Sequence, residues 1–131
     1  MEDNFKLEII SPEKIIFSDD CTMVTLPSYE GDMSLLKHHI SIITFLRPGI
    51  IKIQKNNGNF EEFLVQDGTV EYFNDSLVVL SSSVINIKNV LKEFLDNLNK
   101  DTQNRLMDKD ISDHDRYTLN HKLEVIKEIR V

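Results

Sequence analysis

Between residues 5 and 80 apolar and polar positions alternate in short runs broken by turn residues. Phe5-Lys6-Leu7-Glu8-Ile9 has period two, the pattern of a half-buried strand. Ile15-Ile16-Phe17 and Met23-Val24-Thr25-Leu26 are β-rich, with Ser18-Asp19-Asp20 expected as the turn between them and Pro27 as the stop. Ile40 to Leu46 ends at Pro48-Gly49, and Ile51-Lys52-Ile53-Gln54 alternates again. Asn57-Gly58 then predicts a hairpin of type I′, which needs positive φ at both central residues. Phe60 to Val65, Val70 to Phe73 and Leu77 to Leu80 follow, with turns at Asp67-Gly68 and Asn74-Asp75. Strands at this spacing, with no helix-length segment among them, predict an antiparallel β-sandwich over residues 1–83 rather than a parallel sheet.

After Gly68 the chain has neither glycine nor proline, and the period changes. Ile87, Val90, Leu91, Phe94, Leu95 and Leu98 recur at three and four residues, one stripe of an amphipathic helix with Asn86 as its cap. A break falls near Met107 to Ile111. Ser112 with Asp115 resembles a capping box, and Leu119, Leu123, Ile126 and Ile129 continue a second stripe. Residues 84–131 therefore predict a two-helix antiparallel hairpin. Its stripe is too small to offset the entropy of ordering two helices, so the hairpin must lean on the sandwich or on another protein. An element that leans can also detach.

Charge narrows the function. The 131 residues carry 15 Lys and Arg against 22 Asp and Glu, a net charge of −7, which disfavours nucleic acid as a partner. No apolar run reaches the ~20 residues of a membrane span, so no direct membrane insertion is expected. The polar, acidic start Met1-Glu2-Asp3-Asn4 lacks the character of a secretory signal or transit peptide, which favours a bacterial or organelle-encoded chain. Residues 1–83 hold 6 basic and 13 acidic groups, whereas residues 84–131 hold 9 of each.

Catalytic chemistry is hard to find. Phosphate-loop, dinucleotide-loop and nucleophile-elbow motifs are missing. His38 and His39 are adjacent and point apart if extended, while His114 and His121 lie on one helix face but ~10 Å apart along the axis, too far to share a zinc. All four read as solvated histidines, so no metal and no cofactor are expected. Cys21 has no sequence-local base and reads as a buried apolar group. The segment Leu26 to Gly49 stands out instead. It places Tyr29-Glu30-Gly31-Asp32 and the histidine pair on loops at strand ends, where partners dock.

The ordered set of motifs resembles the epsilon subunit of rotary ATP synthase. Lys6 to Ser18 is similar to that family's opening, and Glu30-Gly31-Asp32 to its Glu-Gly-acid turn. His39 falls on the histidine of its Pro-Gly-His-Ala-Pro motif, Thr44 and Arg47-Pro48-Gly49 on its Thr and basic-Pro-Gly, and Asp67-Gly68 on its Gly-Gly. Lys37-His38 replaces Pro-Gly and Ile40-Ser41 replaces Ala-Pro, so a different loop path is expected there. The family's nucleotide motif, Ile/Leu-Asp-x-x-Arg-Ala, is matched by Ile87 to Lys92, with Lys88 for Asp and Leu91 for Arg. Tight ATP binding is therefore not expected. Asp113 and Arg116 keep the Asp-x-x-Arg spacing as a residual candidate nucleotide contact, though an i, i+3 surface pair explains them as well.

The resemblance implies a non-catalytic central-stalk subunit. It would dock on the gamma subunit and the membrane c-ring, at the cytoplasmic face of the bacterial inner membrane or its organelle equivalent. The implied ring surface is Tyr29, Glu30, Gly31, Asp32 and His39. The hairpin would reach the alpha and beta subunits and inhibit ATP hydrolysis. The alternatives are a stand-alone sandwich adaptor and a small hydrolase using Cys21 or His39.

Overall fold

The computed structural model describes residues 3–90 and 92–129. Ten strands come first: β1 (Phe5–Ile10), β2 (Ile15–Cys21), β3 (Met23–Ser28), β4 (Gly31–Leu35), β5 (Ile42–Leu46), β6 (Gly49–Gln54), β7 (Phe60–Val65), β8 (Gly68–Phe73), β9 (Ser76–Leu80) and β10 (Val84–Asn86). A 3-10 turn (Ile87–Asn89) leads to α1 (Lys92–Leu106) and α2 (Asp113–Ile129).

The strands follow one hydrogen-bonded path, β10-β7-β6-β3-β5-β8-β9-β1-β2, with β4 on the flank of β3. β3 and β5 meet only at Ser28 and Leu46, and at this corner the path folds into two layers. The inward positions of both layers make one core: Leu7 and Ile9, Val24 and Leu26, Ile51 and Ile53, Val70 and Tyr72, Leu77 and Val79. Phe17 of β2 meets Phe63 of β7 with ring centroids 5.7 Å apart. Nearby, Lys55 pairs with Glu61 at 2.7 Å and Asp19 at 3.7 Å, tying the layers together.

Among the described residues every ladder is antiparallel except that of β1 with β9. No tight turn joins those two strands, so β1 is free to enter beside β9 in the same direction. Ser18-Asp19-Asp20 is not a turn. It continues β2, which among the described residues pairs with β1 alone and so keeps these polar residues exposed at the sheet edge. The Asn57-Gly58 hairpin forms with different chemistry from the expected type I′. Gly58 alone has positive φ, +81, and its N–H reaches Lys55 O at 3.1 Å. This is the three-residue loop with glycine in the left-handed position. The type I′ signature appears instead at Asn74 (φ +50) and Asp75 (φ +59), between β8 and β9.

Past residue 83 the sheet gains β10, where Val84 and Ile85 add to the edge of β7. Asn86 does cap, but it caps the 3-10 turn, its side chain accepting from Lys88 N at 3.0 Å. Leu91 lies outside the described residues. α1 and α2 pack on each other and bury Leu95, Thr102, Leu119 and Ile126. Ser112 Oγ accepts from Asp115 N at 3.1 Å, the expected cap of α2.

Candidate functional site

Strand register builds an apolar row on the outside of one layer. Phe45 pairs with Thr69, Thr69 with Leu80, Leu80 with Ile10, and Ile10 with Ile15. Phe45, Leu80 and Ile15 are 60%, 50% and 57% exposed, and Ile43 beside them on β5 is 73% exposed. The row runs across β5, β8, β9, β1 and β2, with a register shift at Ile10 where β1 meets β2. The row is an exposed apolar stripe, interrupted by Thr69, on a molecule of net negative charge, and large exposed apolar patches are the kind of surface that partners cover.

Tyr29 and Glu30 form the β3–β4 turn, and Gly31 and Asp32 start β4. Ser28 Oγ donates to Gly31 O at 2.6 Å and fixes the turn. Glu30 and Asp32 are exposed, Asp32 lying 4.0 Å from Arg47 Nη2. Tyr29 is already engaged: its ring stacks on His114 of α2 at 5.4 Å. His39 lies elsewhere. It follows β4 at the opposite end, so about 10 Å or more of strand separates it from Asp32. There its ring meets the edge of Tyr72 at 5.7 Å. The structure thus brings Tyr29, Glu30, Gly31 and Asp32 together and leaves His39 apart.

α2 provides a site that sequence reasoning missed. His114, Tyr117, His121 and Val125 recur at three and four residues, one helix face. Arg47 Nη1 donates to the Tyr117 hydroxyl at 2.7 Å. His121, Val125 and Glu128 line a cleft of about 190 Å³ against Pro27, Arg47 and Gly49. Burial, and then the Arg47 charge, hold the His121 imidazole below its ordinary pKa. Lys122 donates to Gln66 Oε1, and burial lowers its ammonium pKa too. His121 is therefore not a solvated histidine but part of a seat for the hairpin, while His114 stays exposed, with its ring against Tyr29. The signal was their seven-residue spacing with Tyr117 between them. Gly49 belongs to the same seat, since a Cβ there would run into the Pro27 ring.

The remaining candidates separate cleanly. Asp113 and Arg116 are exposed on the first turn of α2. Cys21 is fully buried, donating weakly to Phe5 O at 3.7 Å. Burial, then Asp20 and Asp19, push its thiol up to about 12. It stays protonated at neutral pH and is a poor nucleophile.

A family model for the β-sandwich domain of the ATP synthase delta/epsilon chain matches residues 4–87. The ATP synthase epsilon chain of Pelagibacter ubique (strain HTCC1062) is 43% identical over 97% of this chain and 98% of its own length. The chain belongs to the ATP synthase delta/epsilon family. The epsilon chain of Parvibaculum lavamentivorans (strain DS-1) is 30% identical, covering 99% of this chain and 98% of that one. The same fold occurs in the Euglena gracilis mitochondrial ATP synthase, with a TM-score of 0.74 at 15% identity over 95% of this chain and 78% of that one. It recurs in the central stalk and c-ring assembly of the Tetrahymena thermophila enzyme, with a TM-score of 0.63 at 12% identity over 96% of both chains. As a family member the chain is a non-catalytic subunit of a larger enzyme. Among the described residues, no helix is long and apolar enough to cross a membrane.

Proposed function

We propose that the chain is a rotor subunit of the proton-translocating synthase, joining the gamma subunit to the c-ring and turning with them. The observation that carries this reading is the apolar row Phe45–Thr69–Leu80–Ile10–Ile15. Torque transfer needs a rigid body with a broad grip, and the row lies on a paired sheet backed by a closed core. The gamma subunit covers this row. The Tyr29–Asp32 turn meets polar loops of the ring, where Glu30 and Asp32 set registry more than affinity. His39, at the other end of β4, belongs to the gamma side because Ile40 and Ile43 follow it toward the row. The site of action is the cytoplasmic face of the energy-coupling membrane.

The helical part regulates. Its seat on the sandwich combines the buried Val125 with three polar or ring contacts, Arg47–Tyr117, Tyr29–His114 and Lys122–Gln66. Polar contacts are readily exchanged for water, so the hairpin detaches at modest cost and reaches the catalytic head, slowing ATP hydrolysis. ATP-driven proton pumping in reconstituted enzyme tests the coupling role. Glu30→Arg with Asp32→Arg is expected to reduce pumping while the chain still melts as the natural one does. Full pumping by that enzyme would refute the ring contact.

A further inference from the structure

His38 stands where the resembling motif has glycine, and its backbone has φ +68. A residue with a Cβ adopts this left-handed conformation at a cost. The compensation comes from the β8–β9 turn. Asp75 Oδ1 accepts the His38 N–H at 2.7 Å, and Asp75 Oδ2 lies 3.4 Å from His38 Nδ1. The Tyr72 hydroxyl donates toward Asp75 Oδ1 at 3.0 Å and Leu36 O at 3.1 Å, so the carboxylate is fixed from the core side. The His38 N–H bond is the leading cause holding the Asp75 carboxyl below its usual pKa. The loop and the turn wall a cleft of about 340 Å³ whose rim carries His39, Ile40 and Phe73. Ile40 and Phe73 are 79% and 64% exposed, and the cleft opens at the β8–β9 turn, the opposite end of those strands from Thr69 and Leu80, with the exposed Ile43 of β5 between it and the row.

We propose that Asp75 is a positioning residue for docking: by clamping His38 in the left-handed conformation it sets the loop that presents His39 and Ile40 to the gamma subunit. The carboxylate does from outside what glycine does from within. The proposal rests on the docking reading above. It also explains how Lys37-His38 is accommodated in a loop where glycine is the easy choice.

The test combines affinity for purified gamma subunit with amide hydrogen exchange of the free full-length chain. Asp75→Ala is expected to weaken gamma binding about tenfold, since an unclamped His38 disfavours the competent loop by a factor of that order. The His38 amide should exchange about tenfold faster as well. His38→Gly added to Asp75→Ala should restore the affinity to within about threefold of the natural chain, because glycine takes positive φ freely. A merely structural role, through the Tyr72 hydroxyl, would not be rescued by glycine at position 38, which does not restore the Tyr72–Asp75 bond. Unchanged affinity in Asp75→Ala, or failure of the glycine to rescue, overturns the proposal. Should Asp75→Ala not fold, His38→Gly is compared with the double variant. Equal affinities support the clamp, and a tenfold gap overturns it. A natural chain that does not bind gamma sinks the docking reading, while His38 exchange still decides the clamp.

Discussion

Tyr117→Phe isolates the strength of the hairpin seat. The change deletes one oxygen and keeps the ring, so the edge contacts of Tyr117 with Tyr29 and His121 survive. What is lost is the acceptor 2.7 Å from Arg47 Nη1. A hydrogen bond to a charged group contributes about 1.5–3 kcal/mol. Tyr117 is 41% exposed, so water can replace its hydroxyl and the net loss falls to about 1 kcal/mol. Arg47 keeps the loss from vanishing. Its side chain is 17% exposed, and its Nε is buried with no hydrogen-bond partner among the described residues. About 1 kcal/mol corresponds to roughly a fivefold increase in hairpin opening. Native-state amide exchange reads this directly: α2 amides should speed up about fivefold while those of β1 and β6 do not change. Unchanged α2 amides would show that the Arg47–Tyr117 bond holds nothing. Equal acceleration everywhere would show that hairpin and sandwich open as one unit.

Two further outcomes follow from the same geometry. His121 is held below its ordinary pKa of 6.5 by burial and Arg47, against the opposing carboxylates of Glu124, Asp32 and Glu128. The seated form therefore binds its proton less readily than the detached form. Seating is favoured above the ordinary histidine range and weakens as pH falls from 6.5 through the depressed value. His121→Asn should flatten this dependence in α2 exchange, and an unaltered profile would exclude the residue as its source. Gly68→Ala would place a Cβ 2.8 Å from Leu80 O, a backbone atom that cannot step aside. It should lower stability by about 1–3 kcal/mol in urea unfolding, and a neutral result would mean β8 and β9 shift freely.

The core strands were legible because each buries one face and so must alternate; β1, β6 and β8 show the period in sequence and in burial. Edges were less legible. β2 carries Asp19 and Asp20 outward, which locally looks like a turn. β4 is five residues long, starts at Gly31 and follows a turn, so its alternation is too brief to stand out. β10 is shorter still. The parallel pairing of β1 with β9 is a property of topology and leaves no local trace. In the helices the apolar stripe gave the α1–α2 contact. The opposite contact, to the sandwich, is made by Val125 together with His114, Tyr117 and His121, and the last three are residue types that also suit solvent. Of the proposed docking residues, Tyr29 to Asp32 cluster because they are consecutive around one turn. His39 is separated from them by the length of β4, which the missed strand concealed. Asp75 gave no signal, since its role appears only once the β8–β9 turn is set beside the loop before β5.

The central claim is that the outer face of β5, β8, β9 and β1 grips the shaft of the rotor. Titration of purified gamma subunit with the natural chain and with Phe45→Asp tests it most directly. Phe45 is 60% exposed in the free chain, so the substitution should leave folding intact. Burying that ring contributes about 1.5–3 kcal/mol, and an unpaired carboxylate in its place adds a desolvation cost. At least about a hundredfold loss of affinity is expected, equivalent to about 2.7 kcal/mol. Equal affinity for the two chains would contradict it.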